Sequence, residues 1–233
     1  MENKPKNYTW IVLIVIVIVV IVLFFVLRGG TTEVQPPSEH VVLLENESEY
    51  VISPGVLVVH RNNHLMNYIG TQAPPEYEPL AEIGNPEPLM ESLRYDENVY
   101  KVYPVDHIEP GQSVRVNINE TYLDAKVSYM AMIVQTNDGV VWVNHSPLYN
   151  SDGQQQTNRY WAEIIDMGTE QNSPIGSGFE GGQPDPDRGE ENIENGTPTE
   201  EPVNHHEEFY GEGTNLSPAV VRYTLNPSTG DSL

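Results

Sequence analysis

The chain has 233 residues, of which 11 are Lys or Arg and 34 are Asp or Glu, so its formal net charge is −23. A phosphate-binding surface needs clustered cations, and this composition therefore excludes nucleic acid as a partner. There is no cysteine, which excludes disulfides, thiolate metal sites and cysteine nucleophiles. Beyond residue 30 the chain carries 8 basic and 33 acidic side chains, so this part should be soluble and should attract divalent cations.

A long apolar segment lies near the amino terminus. Residues 10–27 are eighteen uninterrupted apolar residues, preceded by Lys4 and Lys6 and followed by Arg28. At about 1.5 Å per residue, this run spans about 27 Å, close to the thickness of a bilayer's hydrocarbon core. The alternative is a cleaved secretory signal, whose apolar region is usually only about 7–15 residues long and ends at a small-residue cleavage pattern. We therefore expect a single transmembrane helix at residues 10–28 that anchors the protein in the lipid bilayer.

The charges around this segment predict its orientation. Two lysines precede the apolar run and one arginine follows it, so the positive-inside rule places residues 1–9 in the cytoplasm as a short tail. Residues 29–40 are rich in Gly, Pro and polar side chains and are typical of a linker. The rest of the chain is then expected on the outer surface, either extracellular or periplasmic.

Short β-type segments follow the linker. They are rich in branched residues, several alternate with period two, and turn formers separate them. They lie at residues 41–44, 50–52, 55–60, 113–118, 129–134, 140–143, 160–165 and 219–225. Only residues 79–84 and 86–93 show a helical pattern. This series predicts an all-β domain at residues 41–226, folded as an antiparallel β-sandwich and followed by a tail at residues 227–233.

One stretch inside the predicted domain differs in composition. Residues 180–213 contain 11 acidic side chains, one basic side chain and many Pro and Gly, with little to bury. We expect a long, mobile acidic loop there. His205, His206, Glu207 and Glu208 fall within it and could hold a transition metal, but adjacent residues rarely point at one ion, and a solvated acidic loop is the favoured interpretation. Isolated His60, at the end of an apolar segment, is more typical of a hydrogen-bonded framework residue than of a ligand.

Two other loops carry carboxylates at the ends of predicted strands. Asn137 and Asp138 follow one strand, and Asp166, Thr169 and Glu170 follow another. Calcium takes six to eight oxygen ligands, and loops at one end of a sandwich can supply them together with backbone carbonyls. From these residues alone, the signal is weak, because Asp in a turn is more often an ordinary turn former than a metal ligand.

Several motifs together resemble a known family. They occur at residues 52–60, 79–86, 108–113, 130–143 and 166–172, in the order and spacing of a spondin amino-terminal (F-spondin) domain, in its prokaryotic membrane-anchored form. The resemblance covers residues 41–225 and implies a sandwich similar to C2 domains, found in surface and matrix proteins. It further implies a Ca²⁺ site formed by Asp138, Asp166 and Glu170, with the Met167 carbonyl as a backbone ligand. The chain lacks the cysteines of the animal members and carries Glu170 where they tend to have Asp.

The resemblance and the composition together predict a function. We expect a membrane-anchored, calcium-binding cell-surface domain for adhesion or for interaction with envelope or matrix components, with a surface protein or glycan as partner. The alternative is a structural subunit of a larger surface assembly, such as an envelope layer, a filament or a virion spike, in which copies of the domain associate with each other. An enzyme is not expected, because no nucleophile with an adjacent base can be placed in the sequence.

Overall fold

The structure of the protein is a computed structural model that describes residues 39–61, 65–170, 199–205 and 220–226. The predicted cytoplasmic tail and transmembrane anchor lie outside the described residues, as do the carboxyl-terminal tail and most of the linker and of the acidic loop. Among the described residues, no helix is both long enough and apolar enough to span a membrane.

The described residues form ten strands and two short helices. In chain order, the strands are β1 His40–Asn46, β2 Ile52–His60, β3 Val99–Val105, β4 Ser113–Ile118, β5 Lys126–Ile133, β6 Gly139–Pro147, β7 Arg159–Trp161, β8 Glu163–Asp166, β9 Asn204–His205 and β10 Val221–Leu225. The helices are α1 Glu78–Ile83 and α2 Glu87–Arg94.

All strand pairs are antiparallel, and they form two sheets. The four-stranded sheet has the order β4-β1-β10-β7, and the six-stranded sheet has the order β3-β2-β5-β6-β8-β9. This architecture agrees with the predicted all-β class and is consistent with a β-sandwich.

Period-two alternation in the central strands explains the layering. In β2, Leu57 and Val59 belong to a core that also contains Val42 and Tyr223 of the four-stranded sheet. Their neighbours on β2, such as Val58, belong to a second core that includes apolar side chains of both helices. Because successive side chains of a strand point to opposite faces, the six-stranded sheet is covered on both sides. Each fully buried Val or Leu contributes about 1.5–3 kcal/mol to this packing.

Local sequence accounts for the start and end of helix α1. A proline lies in its first turn, where the missing N–H costs no helical hydrogen bond. Gly84 ends the helix in the left-handed conformation, with φ of +67°. A Cβ at this position would lie 2.7 Å from the Cβ of Ser53 on β2. Only glycine therefore allows the end of α1 to approach the six-stranded sheet this closely.

The structure contains two strands that the sequence did not predict. Strand β3 was missed because Pro104 interrupts its pattern, and proline is tolerated in strands mainly at sheet edges. Within the described part of the chain, β3 is indeed an edge strand, paired with β2 alone. Strand β9 has only two residues and was missed for that reason.

The predicted strand 160–165 is in fact two strands. The chain crosses from one sheet to the other at Ala162, so that β7 pairs with β10 and β8 pairs with β6. At the other boundary, β1 begins at His40, the last residue of the predicted linker.

The end of the predicted acidic loop departs from the expectation of mobility. Within residues 199–205, the N–H of Thr199 donates to Thr169 O at 2.8 Å, and the N–H of Val203 donates to Thr71 O at 2.9 Å. Strand β9 then pairs with β8. These seven residues are therefore part of the folded domain.

Candidate metal centre

The structure brings the predicted calcium ligands to one end of the six-stranded sheet. Asp138 closes the turn between β5 and β6, and Asp166 is the last residue of β8. Gly139 lies opposite Asp166 in the sheet register. The N–H of Met167 donates to the carbonyl of Asp138 at 3.2 Å. The turn of Asp138 and the loop after β8 therefore lie side by side.

The turn that presents Asp138 is held by a threonine hydroxyl. Thr136 Oγ1 donates to Ile133 O at 2.7 Å and accepts the N–H of Gly139 at 3.0 Å. Thr136 and Asn137 are both buried. The hairpin thus delivers the Asp138 side chain inward, beneath the loop that follows β8.

Asp138 is fully buried, with 0% of its surface exposed. Its Oδ2 accepts the N–H groups of Thr169 at 2.8 Å and of Glu170 at 3.1 Å. Its Oδ1 has no hydrogen-bond partner among the described residues. A buried carboxylate oxygen without a partner is costly, and a bound cation would satisfy it.

The other predicted ligands are buried in the same place. Asp166 is 4% exposed, and its Oδ1 accepts the N–H of Gly168 at 2.8 Å. Glu170 and Met167 are buried as well. The charges of Asp166 and Glu170 both act on Asp138, which places the three carboxylates within electrostatic range of one another.

A fourth carboxylate, which sequence reasoning missed, joins these three. Glu82 lies on helix α1 and is 6% exposed. The side chain of Thr169 and the charges of Glu170 and Asp138 all act on its carboxyl group. A signal was present in the sequence, because Glu82 directly follows Leu80 and Ala81, which belong to the core. An acidic residue within a buried helical face needs a partner.

Electrostatics make this group of carboxylates unfavourable when no cation is bound. Burial, followed by the charge of Asp166, raises the pKa of Asp138 to about 7, against the opposing effect of the Glu170 and Thr169 N–H groups. Burial raises the pKa of Glu82 to about 8, with Glu170 adding to the rise and the Thr169 hydrogen bond opposing it. The folded protein would therefore retain protons here, or bind a cation in their place.

Residues 199–201 hold the loop after β8 in place. Gly168 has φ of +66°, and a Cβ on it would lie 2.4 Å from the carbonyl oxygen of Glu201. The N–H of Glu201 donates to Gly168 O at 3.0 Å. Gln72 Nε2 in turn donates to Glu200 O at 2.8 Å. Residues 199–201 thus link the loop after β8 to the segment that precedes α1.

The described carboxylates do not form a preorganised coordination site. Among the residues that the structure describes, no three His, Asp or Glu side chains already have the geometry to hold a metal ion. The donor set nevertheless fits a hard cation, because it consists of carboxylates and a backbone carbonyl near Asp138 Oδ1, which has no hydrogen-bond partner in the described part of the chain.

The other candidate residues lie elsewhere or serve the framework. His60 is buried, and its Nε2 is hydrogen-bonded to Ser128 Oγ at 2.9 Å, in agreement with the framework interpretation. His205 is exposed, and its Nδ1 lies 3.6 Å from Oε2 of Glu163. Residues 206–208 lie outside the described part of the chain.

Comparison of the chain with models of known families gives no match, and comparison with curated proteins gives none either. The resemblance to spondin domains therefore remains a prediction from the sequence.

Proposed function

We propose that the protein is a membrane-anchored, calcium-binding domain of the cell surface that serves adhesion or interaction with envelope or matrix components. The observation that carries this proposal is Oδ1 of Asp138, which is buried near three other carboxylates and has no hydrogen-bond partner among the residues that the structure describes. A cation at this oxygen would satisfy it and would remove the repulsion among the four side chains.

The nature of the donors favours calcium. Asp138, Asp166 and Glu170 would supply carboxylate oxygens, the Met167 carbonyl would supply a backbone oxygen, and Glu82 is available as a further ligand. Calcium accepts six to eight such oxygens in flexible geometry, whereas magnesium demands a near-ideal octahedron and retains several waters. When bound, the ion would join the β5–β6 turn, the loop after β8 and helix α1. In this proposal its role is structural, and no catalytic residue is assigned.

Sequence features support the cell-surface location. The spondin-like motifs imply a C2-like sandwich of the kind found in exported proteins. The apolar run at residues 10–28 would anchor the chain, and the highly acidic remainder suits an exposed, cation-rich environment. Protease added to intact cells should then remove the domain and leave a membrane-bound stub. Recovery of a soluble mature protein beginning near residue 30 would contradict the anchor.

The metal proposal is tested by Asp166→Asn. In the full chain, the melting temperature should rise with free calcium, since a ligand that binds only the folded state stabilises it by about 2.7 kcal/mol at a hundredfold excess over Kd. Asp166→Asn removes a charged ligand and should flatten this dependence. Asp152→Asn, at an exposed aspartate outside the cluster, is the matched control. Equal calcium responses in all three proteins would show that the site lies elsewhere.

One observation favours the second candidate function, a structural subunit of a surface assembly. Strand β7 forms an edge of the four-stranded sheet and carries Tyr160 and Trp161, which are 37% and 38% exposed. Edge strands with exposed aromatic residues can pair with another chain. Sedimentation of the full chain over a range of concentrations tests this, and Trp161→Lys should abolish any self-association through β7.

A further inference from the structure

A pocket of about 290 Å³ adjoins the carboxylate cluster. Met167, Gly168 and Thr169, which directly follow the candidate ligand Asp166, form one wall, and Glu78, one turn before Glu82 on α1, belongs to another. Residues 199–201 complete it. The pocket is therefore built from the same elements that carry the candidate metal ligands.

Apolar and acidic residues line the pocket together. Ala73, Pro75 and Met167 are apolar, whereas the three glutamates, Glu78, Glu200 and Glu201, are exposed. Among the described residues that line the pocket, none is Lys, Arg or His. The adjoining cluster holds four further carboxylates, and a single divalent ion would balance only two of their charges. A negative potential therefore persists at this pocket even with calcium bound.

The volume limits what the pocket can hold. Since one water occupies about 30 Å³ in the liquid, the space corresponds to about ten waters, at the lower end of the range for small-molecule sites. This is enough for one long side chain. An arginine places an aliphatic stem against apolar surface and a guanidinium among carboxylates, which it can bind in bidentate fashion.

We propose that this pocket binds an arginine side chain of a partner protein at the cell surface. We further propose that calcium at the adjoining site increases the affinity of the pocket for arginine by fixing its walls. The inference rests on the proposed calcium-binding function and specifies the chemistry of its partner. Calcium would fix Asp166 and Glu82, and with them the Met167–Thr169 wall and helix α1. Arginine binding should thus be stronger in calcium than in its absence.

The test uses the full chain labelled with ¹³C at the methionine methyl groups, with the Met167 signal assigned through Met167→Leu. Acetyl-arginine amide is titrated into the calcium-saturated protein, and acetyl-citrulline amide, its neutral isostere, serves as the matched probe. We expect the arginine probe to shift the Met167 methyl signal with at least tenfold higher affinity than citrulline.

The double variant Glu78→Gln, Glu201→Gln should weaken arginine binding at least fivefold. Glu91→Gln, at an exposed glutamate of α2 away from the pocket, should leave arginine binding unchanged.

The outcomes separate this inference from the proposed function. Equal shifts with both probes, or no arginine-dependent shift of Met167, would overturn the arginine pocket. Calcium added alone should also shift Met167. If the arginine probe shifts Met167 while calcium does not, the calcium proposal fails and the preparation of the pocket by calcium fails with it, but the pocket assignment stands. If calcium shifts Met167 and arginine does not, only the pocket is refuted.

Discussion

Asp138 Oδ2 accepts the backbone N–H of Thr169 at 2.8 Å, across 31 residues of sequence. This bond fastens the β5–β6 turn to the loop after β8 and leaves Oδ1 of the same carboxylate directed at no donor among the described residues. One side chain thus performs two tasks: one oxygen holds two loops together, and the other is available to a cation.

Asp138→Asn should preserve the hydrogen bonds between the two loops but weaken cation binding. An Asn oxygen can still accept the N–H groups of Thr169 and Glu170, but the charge that attracts a cation and repels Asp166 is lost. We expect calcium affinity to fall at least tenfold, while the free energy of unfolding in calcium-free buffer at pH 8 stays equal or rises. Calorimetric titration with calcium and urea unfolding measure the two quantities. Calcium binding as tight as in the parent would contradict the assignment of Asp138.

Stability without calcium should fall as the pH rises. The pKa values of Asp138 and Glu82, about 7 and about 8, lie above their ordinary values of 3.8 and 4.5, so the folded state holds protons more tightly than the unfolded state. This contribution is fully present below about pH 4 and is lost as the pH rises through 7 and 8. The slope is at most about 1.4 kcal/mol per pH unit for each retained proton.

Urea unfolding between pH 5 and 9, in buffers stripped of calcium, measures this slope. The stabilisation by calcium should grow over the same interval, because the cation replaces the protons. A Glu82→Gln, Asp138→Asn double variant should show a flatter pH profile. A calcium-free parent that gains stability between pH 6 and 8 would contradict the prediction.

Gly168→Ala tests the backbone of the loop after β8. The left-handed conformation alone costs a non-glycine residue about 1–2 kcal/mol. The new Cβ would also lie 2.4 Å from Glu201 O, so the contact with residues 199–201 must open. Gly111→Ala is the control, since Gly111 has a similar φ of +72°, but no atom of the described residues lies within 4 Å of the added Cβ.

We expect Gly168→Ala to destabilise the protein clearly more than Gly111→Ala and to weaken calcium binding, which Gly111→Ala should leave unchanged. Thermal unfolding and calcium titration of both variants check this. Equal losses of stability would mean that the contact with Glu201 contributes nothing.

Asn46 and Asn119 each begin an N-x-S/T sequence, the acceptor pattern for N-glycosylation, and the structure distinguishes the two. Asn46 is buried, and its Nδ2 donates to Tyr50 O at 2.7 Å and to Ile108 O at 2.8 Å, so a glycan there is incompatible with the folded domain. Asn119 is exposed just after β4. When the chain is exported from a glycosylating cell, mass spectrometry should find the folded protein modified at Asn119 and unmodified at Asn46. Folded protein that carries a glycan on Asn46 would refute this.

The sequence predicted those elements whose signal is local. Branched residues with period two indicated most strands, and the short helical patterns matched α1 and α2. The crossing at Ala162 could not be predicted, because the apolar pattern continues through it while the hydrogen-bond partners change from β10 to β6. The packing of two sheets decides that change, and no local propensity encodes it.

The candidate site was predictable only in part, for a similar reason. Asp138 directly precedes β6, whereas Asp166 ends β8 and Glu170 follows it. Since β6 and β8 are antiparallel neighbours, the proximity of these residues follows from the topology. Glu82 lies 56 residues before Asp138, on a helix, and reaches the others only because Gly84 lets α1 lie close to β2. That approach depends on tertiary contacts with Ser53 and cannot be derived from the helical pattern.

The hydrogen bond from Thr199 N–H to Thr169 O has a consequence for engineering the domain. It holds Thr169 beside Thr199, so the chain leaves the folded domain before residue 171 and returns after residue 198 at neighbouring points. A foreign epitope or a second module grafted between these two points would begin and end at fixed, adjacent positions next to the candidate metal centre.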